Sequence, residues 1–258
     1  MKTLEKNIRD LKRNGIIKIE KAVPKKKCNL IKSKLDNIIT KFHKNNLLGA
    51  NKFSQVVVNP FRHDFSLIEI INFHKVDEIL KKALDDDYVM VQCSVNNRKI
   101  REDLPERKSK NPGADWHTDS RYLGGEKISP GFGYLVILML DDFTKDNSAT
   151  RYVKKSHLTR NIPIRNRNYN STPIVGEQGS IVIMDSGMWH RAGDPTYNSR
   201  WSMFNLYGGW FMKPYYRYWD MLSKFQINRL TKVQKRLLHI NSVPPLHEEE
   251  RLSTVTKL

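Results

Sequence analysis

Residues 115–119 read Asp115-Trp116-His117-Thr118-Asp119, and the interpretation of this stretch decides which fold the rest of the chain has to build. It follows a turn signal at Asn111-Pro112-Gly113. In extended backbone, residues i and i+2 project to the same side, so His117 and Asp119 can both reach one metal ion. A second imidazole of interest is His190, in Met188-Trp189-His190-Arg191, just beyond an apolar strand candidate at 179–185. If the strands bring His190 opposite His117, two imidazoles and a carboxylate occupy half an octahedron and leave open positions, which suits non-haem Fe(II) and oxygen chemistry. A lone His-x-Asp is commonplace; the order of the whole set carries the specificity. Ten residues after His190 comes Arg200, in Ser199-Arg200-Trp201-Ser202. Arg200 and Ser202 share a parity on the next strand candidate, so both can face a barrel interior, where a guanidinium fork beside a hydroxyl suits a carboxylate.

Outward from these positions the chain divides by period. Leu4, Ile8 and Leu11 repeat at helical spacing and Gly15 is a stop signal; Ile16–Ile19 alternates like a short strand. Pro24 stands near a helix start, and Leu30, Ile31, Leu35, Ile38, Ile39 and Phe42 form one apolar stripe. A second long helix is expected over about 66–84, opened by a capping box at Ser66-Leu67-Ile68-Glu69. From Tyr88 the period becomes strand-like: Val89, Val91, Cys93 and Val95 on one face, Met90, Gln92 and Ser94 on the other. Further strands are expected at 133–140, 150–153, 179–185 and 201–207, separated by turn clusters such as Gly124-Gly125, Asp146-Asn147 and Gly193-Asp194-Pro195. Residues 215–240 return to a helical pattern before Pro244-Pro245 and a charged tail. The expected class is α+β with a mainly β core, helices flanking a sandwich or jelly roll.

Composition narrows the function classes. The 258 residues carry 45 Lys and Arg against 27 Asp and Glu, a net charge of +18, which favours an anionic partner. The basic residues are spread along the chain, with no basic tail and no nucleic-acid module, so charge alone chooses no function. The longest apolar run, Tyr134 to Leu140, is far short of the ~20 residues that span a bilayer. The first fifteen residues are too charged for a secretory signal, and two cysteines make neither a disulfide framework nor a metal knuckle. A cytoplasmic protein without a membrane span is expected; composition is silent on oligomeric state. Among the aromatics, the run from Trp210 to Trp219 reads as core or dimer-interface packing ahead of a stacking platform.

His117-Thr118-Asp119, Leu140-Asp141-Asp142-Phe143, 147–153 with Lys155-Ser156-His157, 179–182 and Trp189-His190 together resemble the phytanoyl-CoA dioxygenase-like (PhyH) family of Fe(II)- and 2-oxoglutarate-dependent oxygenases. The resemblance covers roughly 88–210. It implies a double-stranded β-helix core, His117, Asp119 and His190 as iron ligands and catalytic centre, and Arg200 on the distal carboxylate of 2-oxoglutarate with Ser202 as its helper. Gln92 and Asn96 are polar candidates for the co-substrate site on the earlier strand. Two departures stand out: Asn147-Ser148 replaces the family's Asn-Gly, and Lys154-Lys155-Ser156-His157 replaces Pro-Gly-Ser-His. With Asp119 present as a carboxylate ligand, the resemblance implies hydroxylation with O2 as oxidant, not halogenation, and release of succinate and CO2.

The chain is therefore expected to be one oxygenase domain over 1–258: a helical extension at about 1–87, a jelly-roll core at about 88–210 and a helical segment at about 211–258. Its expected partner is a small molecule, anionic in view of the charge. Two competing readings stay open at this level. One is a cupin-like metal enzyme that does not use 2-oxoglutarate; the other is a nucleic-acid-binding protein or oxygenase.

Overall fold

In the computed structural model, the residues described are 2–42, 52–102, 115–120, 122–128, 130–241, 247 and 249. The turn at 111–113 and the Pro244-Pro245 break lie outside them. The long elements are helices α1 (Lys2–Asn14), α2 (Lys25–Phe42) and α3 (His74–Leu84), and strands β1 (Ile16–Ile19), β2 (Ser54–Val58) and β3 (Val89–Arg98). A small hairpin, β4 (Tyr122–Leu123) and β5 (Glu126–Lys127), precedes β6 (Gly133–Met139), β7 (Arg151–Tyr152), β8 (Thr172–Pro173), β9 (Ile181–Asp185), β10 (His190–Arg191) and β11 (Arg200–Gly208). Two short helices, α4 (Lys224–Asn228) and α5 (Lys232–Leu237), follow.

One sheet has six antiparallel strands in the order β1-β9-β6-β11-β3-β2, and a facing sheet has the order β10-β7-β8. Together they form a double-stranded β-helix, or jelly roll, flanked by helices. Alternation on β6 shows why the sheet has a helix on one side and a second sheet on the other. Tyr134, Val136 and Leu138 belong to the cluster that contains Leu11, Ile31, Leu35 and Leu80 of the helices. Leu135, Ile137 and Met139 belong to the cluster between the sheets, with Phe143, Val182 and Met184. Every residue of β6 is buried, the pattern of a central strand covered on both faces.

Several expectations need correction. Ser54–Val58 is a strand the sequence reading passed over; it pairs with β3, so both β1 and β2 extend the main sheet from the first third of the chain. The helix expected over 66–84 is two pieces, a 3-10 turn at Phe65–Ile71 and α3, with extended backbone at Asn72 and Phe73 between them. Asp64, not Ser66, caps the first piece, accepting the Ser66 N–H. Leu30 is exposed, whereas Ile31, Leu35, Ile38 and Ile39 of its stripe are buried. The C-terminal helix is likewise divided into a 3-10 turn, α4 and α5, each helix opened by its own capping box at Ser223 or Thr231.

The strict alternation read on β3 is broken too. Leu206 faces Gln92 while Tyr207 faces Met90, so Val91 is an extra residue and β3 bulges there. Met90, Cys93 and Val95 consequently face the helices and Val91 faces the inner core. Beyond the bulge Gln92, Ser94, Asn96 and Arg98 are aimed between the sheets, and they form one wall of a cavity there.

Candidate active site

The two sheets enclose a cavity of about 160 Å³ between β3 and β11 on one side and the strands bearing His117 and His190 on the other. His117 and His190 are joined by an antiparallel bridge, each backbone N–H donating to the other's carbonyl at 3.0 Å. Directly opposed residues of an antiparallel pair share a face, so both imidazoles point into the cavity, their ring centroids 4.3 Å apart. Asp119 is anchored by its backbone N–H on Ser186 O at 2.9 Å, which brings its Oδ2 to 3.5 Å from His190 Nε2. One ligand atom from each of His117, Asp119 and His190 lies within 4.8 Å of the others.

The backbone sets the chemical state of both rings. His117 Nδ1 is 2.8 Å from Asp115 O, and His190 Nδ1 is 2.9 Å from Met188 O. A carbonyl can only accept, so each Nδ1 carries the proton and each Nε2 keeps its lone pair for a metal. Burial and then the neighbouring His117 push the His190 pKa down to about 4, against the opposing pull of Asp119, so this imidazole is neutral at pH 7.

His190 is held by parts of the quoted motifs that are not ligands. Ser156 Oγ accepts the Trp189 N–H at 2.7 Å and donates to Val153 O at 2.7 Å. The buried Asp185 carboxylate accepts the N–H groups of Gly187 and Gly131, fixing the turn into β10. His157 is a structural residue: its Nε2 lies 3.1 Å from Lys12 O at the end of α1. Gly15, at φ +71, is tied to that contact, because a Cβ there would come within 2.4 Å of the His157 ring.

Arg200 lies at the far end of the cavity and is 1% exposed. Its Nε donates to Asn147 O at 3.1 Å, its guanidinium stands 4.4 Å over the Phe143 ring, and its Nη1 is buried with no protein partner. Burial, then the nearby Arg98, lower its pKa to about 9, with Asp141 opposing; it remains a cation at neutral pH. Gln92 and Asn96 line the cavity, and Asn96 Oδ1 is a second buried atom without a partner. Ser202 is fully buried, with its Oγ donating to Asn96 O at 3.3 Å, and is not part of the cavity wall.

The sequence reading missed Arg98. It sits directly across from Arg200 in the β3–β11 register, lines the same cavity and is buried. Burial lowers its pKa to about 10, with Asp194 opposing. The signal was present: Arg98 has the parity of Gln92, Ser94 and Asn96, a polar row on an otherwise apolar strand.

The phytanoyl-CoA dioxygenase (PhyH) family profile matches residues 11–200. The chain belongs to the PhyH family. It is an Fe(II)- and 2-oxoglutarate-dependent oxygenase with a 2-His-1-carboxylate triad, and the cupin-like reading without 2-oxoglutarate is set aside. Among curated proteins none matches the chain. Among solved structures, the non-haem alpha ketoglutarate dependent carbocyclase SnoK from nogalamycin biosynthesis is similar at 12% identity and a TM-score of 0.58, over 80% of this chain and 83% of that one. The epimerase SnoN, solved with Fe3+, alpha ketoglutarate and nogalamycin RO, is similar at 12% identity and a TM-score of 0.58, over 95% of this chain and 94% of that one. EvdMO1 is similar at 15% identity and a TM-score of 0.59, over 80% of this chain and 50% of that one. At these identities the likeness is one of fold. It is the fold that this PhyH member would be expected to have.

Both departures from the PhyH motifs fall where the backbone is left-handed. Ser148, in place of the family's glycine, has φ 61, and Lys155, in place of the second glycine, has φ 60. Ser148 compensates with an Oγ bond to Asp194 O at 2.6 Å.

Proposed function

We propose that the chain hydroxylates an unactivated C–H bond of a small anionic molecule, with iron held by His117, Asp119 and His190 and 2-oxoglutarate held at its distal carboxylate by Arg200. The observation that carries this reading is the buried, partnerless Nη1 of Arg200 at the end of the cavity that contains the triad. A buried donor without an acceptor is costly, and a carboxylate oxygen removes that cost with a charge-assisted bond. Two guanidinium groups and a divalent ion against the single carboxylate of Asp119 also favour a dicarboxylate guest. When bound, iron and 2-oxoglutarate supply the activation of O2, with succinate and CO2 as by-products.

The residues of the chain then bind, orient and exclude water. Both Nδ1–H···O=C bonds hold the imidazole planes toward the ion. Arg98 strengthens the field at the distal carboxylate from the neighbouring strand, and Asn96 and Gln92 offer polar contacts between that end and the triad. Ser202 braces β3 through the Asn96 carbonyl. Retention of Asp119 keeps the third protein ligand and favours hydroxylation over halogenation. The net charge of +18 supports an anionic substrate. No helix of the described residues is long and apolar enough to cross a membrane. Cys28 and Cys93 are free and buried, which fits a reducing, cytoplasmic compartment. The 258 residues are read as one oxygenase domain.

The test is the apparent KM for 2-oxoglutarate in Arg200→Ala, followed by succinate formation. A rise of about a hundredfold is expected from the loss of a buried ion-pair partner. An unchanged KM removes Arg200 from the co-substrate site.

A further inference from the structure

Beyond the end of β11 the surface carries rings that the core does not use. Trp210 is 66% exposed and Phe211 57%, whereas Tyr218 of the same aromatic run is fully buried. Trp210 and Phe211 meet at 83° with centroids 5.8 Å apart, two walls of a nearly right-angled corner. Phe132, half-buried against the inner core, packs on the Phe211 side of the corner, its centroid 5.3 Å from that of Phe211.

Register ties this corner to the metal centre. Gly133, next to Phe132, pairs with Gly208, two residues before Trp210. The Ser186 N–H donates to Gly133 O at 2.9 Å, and Ser186 O accepts the N–H of Asp119 at 2.9 Å. Two backbone hydrogen bonds thus link Gly133, beside the corner, to the backbone N–H of Asp119. Arg200 stands at the opposite end of β11, eight residues from Gly208, roughly 27 Å away at the rise of an extended strand. The segment after Gly208 then crosses the start of β3, where the Tyr215 N–H donates to Val91 O at 3.0 Å, beside the cavity residue Gln92.

We infer that the Phe132–Trp210–Phe211 corner seats a flat aromatic or polycyclic portion of the substrate, holding its target C–H over the triad. This deepens the proposed function and rests on it. A ring laid on Trp210 with its edge to Phe211 satisfies the edge-to-face and offset preferences of both. A second copy of the chain is the less suitable occupant. Rings of this size carry ~150–250 Å² each, so the exposed parts offer roughly 300 Å² against ~800 Å² per partner in a stable interface.

The test uses 8-anilinonaphthalene-1-sulfonate as probe, read by its fluorescence on the full chain and, under anaerobic conditions, by its effect on the visible absorbance of the protein with Fe(II) and 2-oxoglutarate. The expected result is saturable binding that persists at high salt and shifts the absorbance band. Affinity should fall tenfold or more in Trp210→Ala and in Phe211→Ala, with the band shift lost. Gly209→Ala is a second variant that removes no ring: its Cβ would meet the Phe211 ring at 2.6 Å and displace it, and the same loss is expected. Equal affinity in all variants, binding abolished by salt, or binding without a band shift overturns the inference. So does a dimer in light scattering that dissociates in Trp210→Ala. Failure of Fe(II) and 2-oxoglutarate to produce any band strikes the proposed function instead, and the probe affinities then stand apart from it.

Discussion

Arg200 combines a buried cation, a ring beneath it and one donor left without an acceptor. Replacing it with Lys keeps the charge but removes the planar fork, so the conservative change is expected to recover only part of the 2-oxoglutarate affinity that Arg200→Ala loses. Equal affinity in Lys and wild type, measured by calorimetry, would mean a point charge suffices. A second residue-scale prediction concerns Lys155, which is exposed and holds φ 60 where the PhyH motif has glycine. Left-handed backbone costs a side chain-bearing residue ~1 kcal/mol, so Lys155→Gly should raise stability by about that amount. Urea denaturation checks the sign, and a loss of stability would show that the lysine side chain compensates. Ser148→Gly is expected to gain less, because it also gives up the bond to Asp194 O.

Between elements, Asp77 is the polar joint of the helical layer. Its carboxylate accepts from Tyr88 OH at 2.8 Å, lies 3.0 Å from Lys81 Nζ and 3.2 Å from Arg236 Nη2, and so ties α3 to the start of β3 and to α5. Burial raises its pKa, but Lys81, Tyr88 and Arg236 together overcome that and hold it below the ordinary carboxylate value. A depressed folded-state pKa means stability that is fully present above the unfolded value of ~3.9 and lost as pH falls through the folded one. Asp77→Asn should therefore cost ~1–3 kcal/mol at pH 7, and the gap to wild type should close on acidification below about pH 4. A gap independent of pH would mean that packing, not charge, makes the joint.

The same layer shows what could and could not be read in advance. Periodicity located α1, β1, α2 and β6 because each has a continuous apolar face against one neighbour. It failed at β3, where the bulge at Val91 changes which residues share a face, and a bulge is decided by the partner strand. It failed for β2 because Val56, Val57 and Val58 form a run that is assigned only once β3 supplies an edge. The division of the C-terminal segment was readable, since Ser223 with Gln226 and Thr231 with Gln234 are both capping boxes. At the site, spacing singled out His117, Asp119, His190 and Arg200, which the fold brings to one cavity, while Arg98 escaped notice because its place across from Arg200 emerges only when β3 and β11 are placed in register.

At the scale of the molecule, the six-stranded sheet and its facing partner hold a cavity lined by two buried guanidinium groups inside a chain of net charge +18. Ligands that bind only the folded state stabilise it by mass action. Saturation with Fe(II) at about 100 times its dissociation constant should add about 2.7 kcal/mol, or roughly 5–10 °C in Tm for a chain of this size. The central claim, that the triad and Arg200 together hold iron and 2-oxoglutarate, is tested most directly by anaerobic visible spectroscopy of the apo-protein titrated with Fe(II) and then 2-oxoglutarate. The account predicts a new charge-transfer band that is absent in His117→Ala and weakened in Arg200→Ala. Iron binding with no band on addition of 2-oxoglutarate, or a band of full strength in His117→Ala, would contradict it.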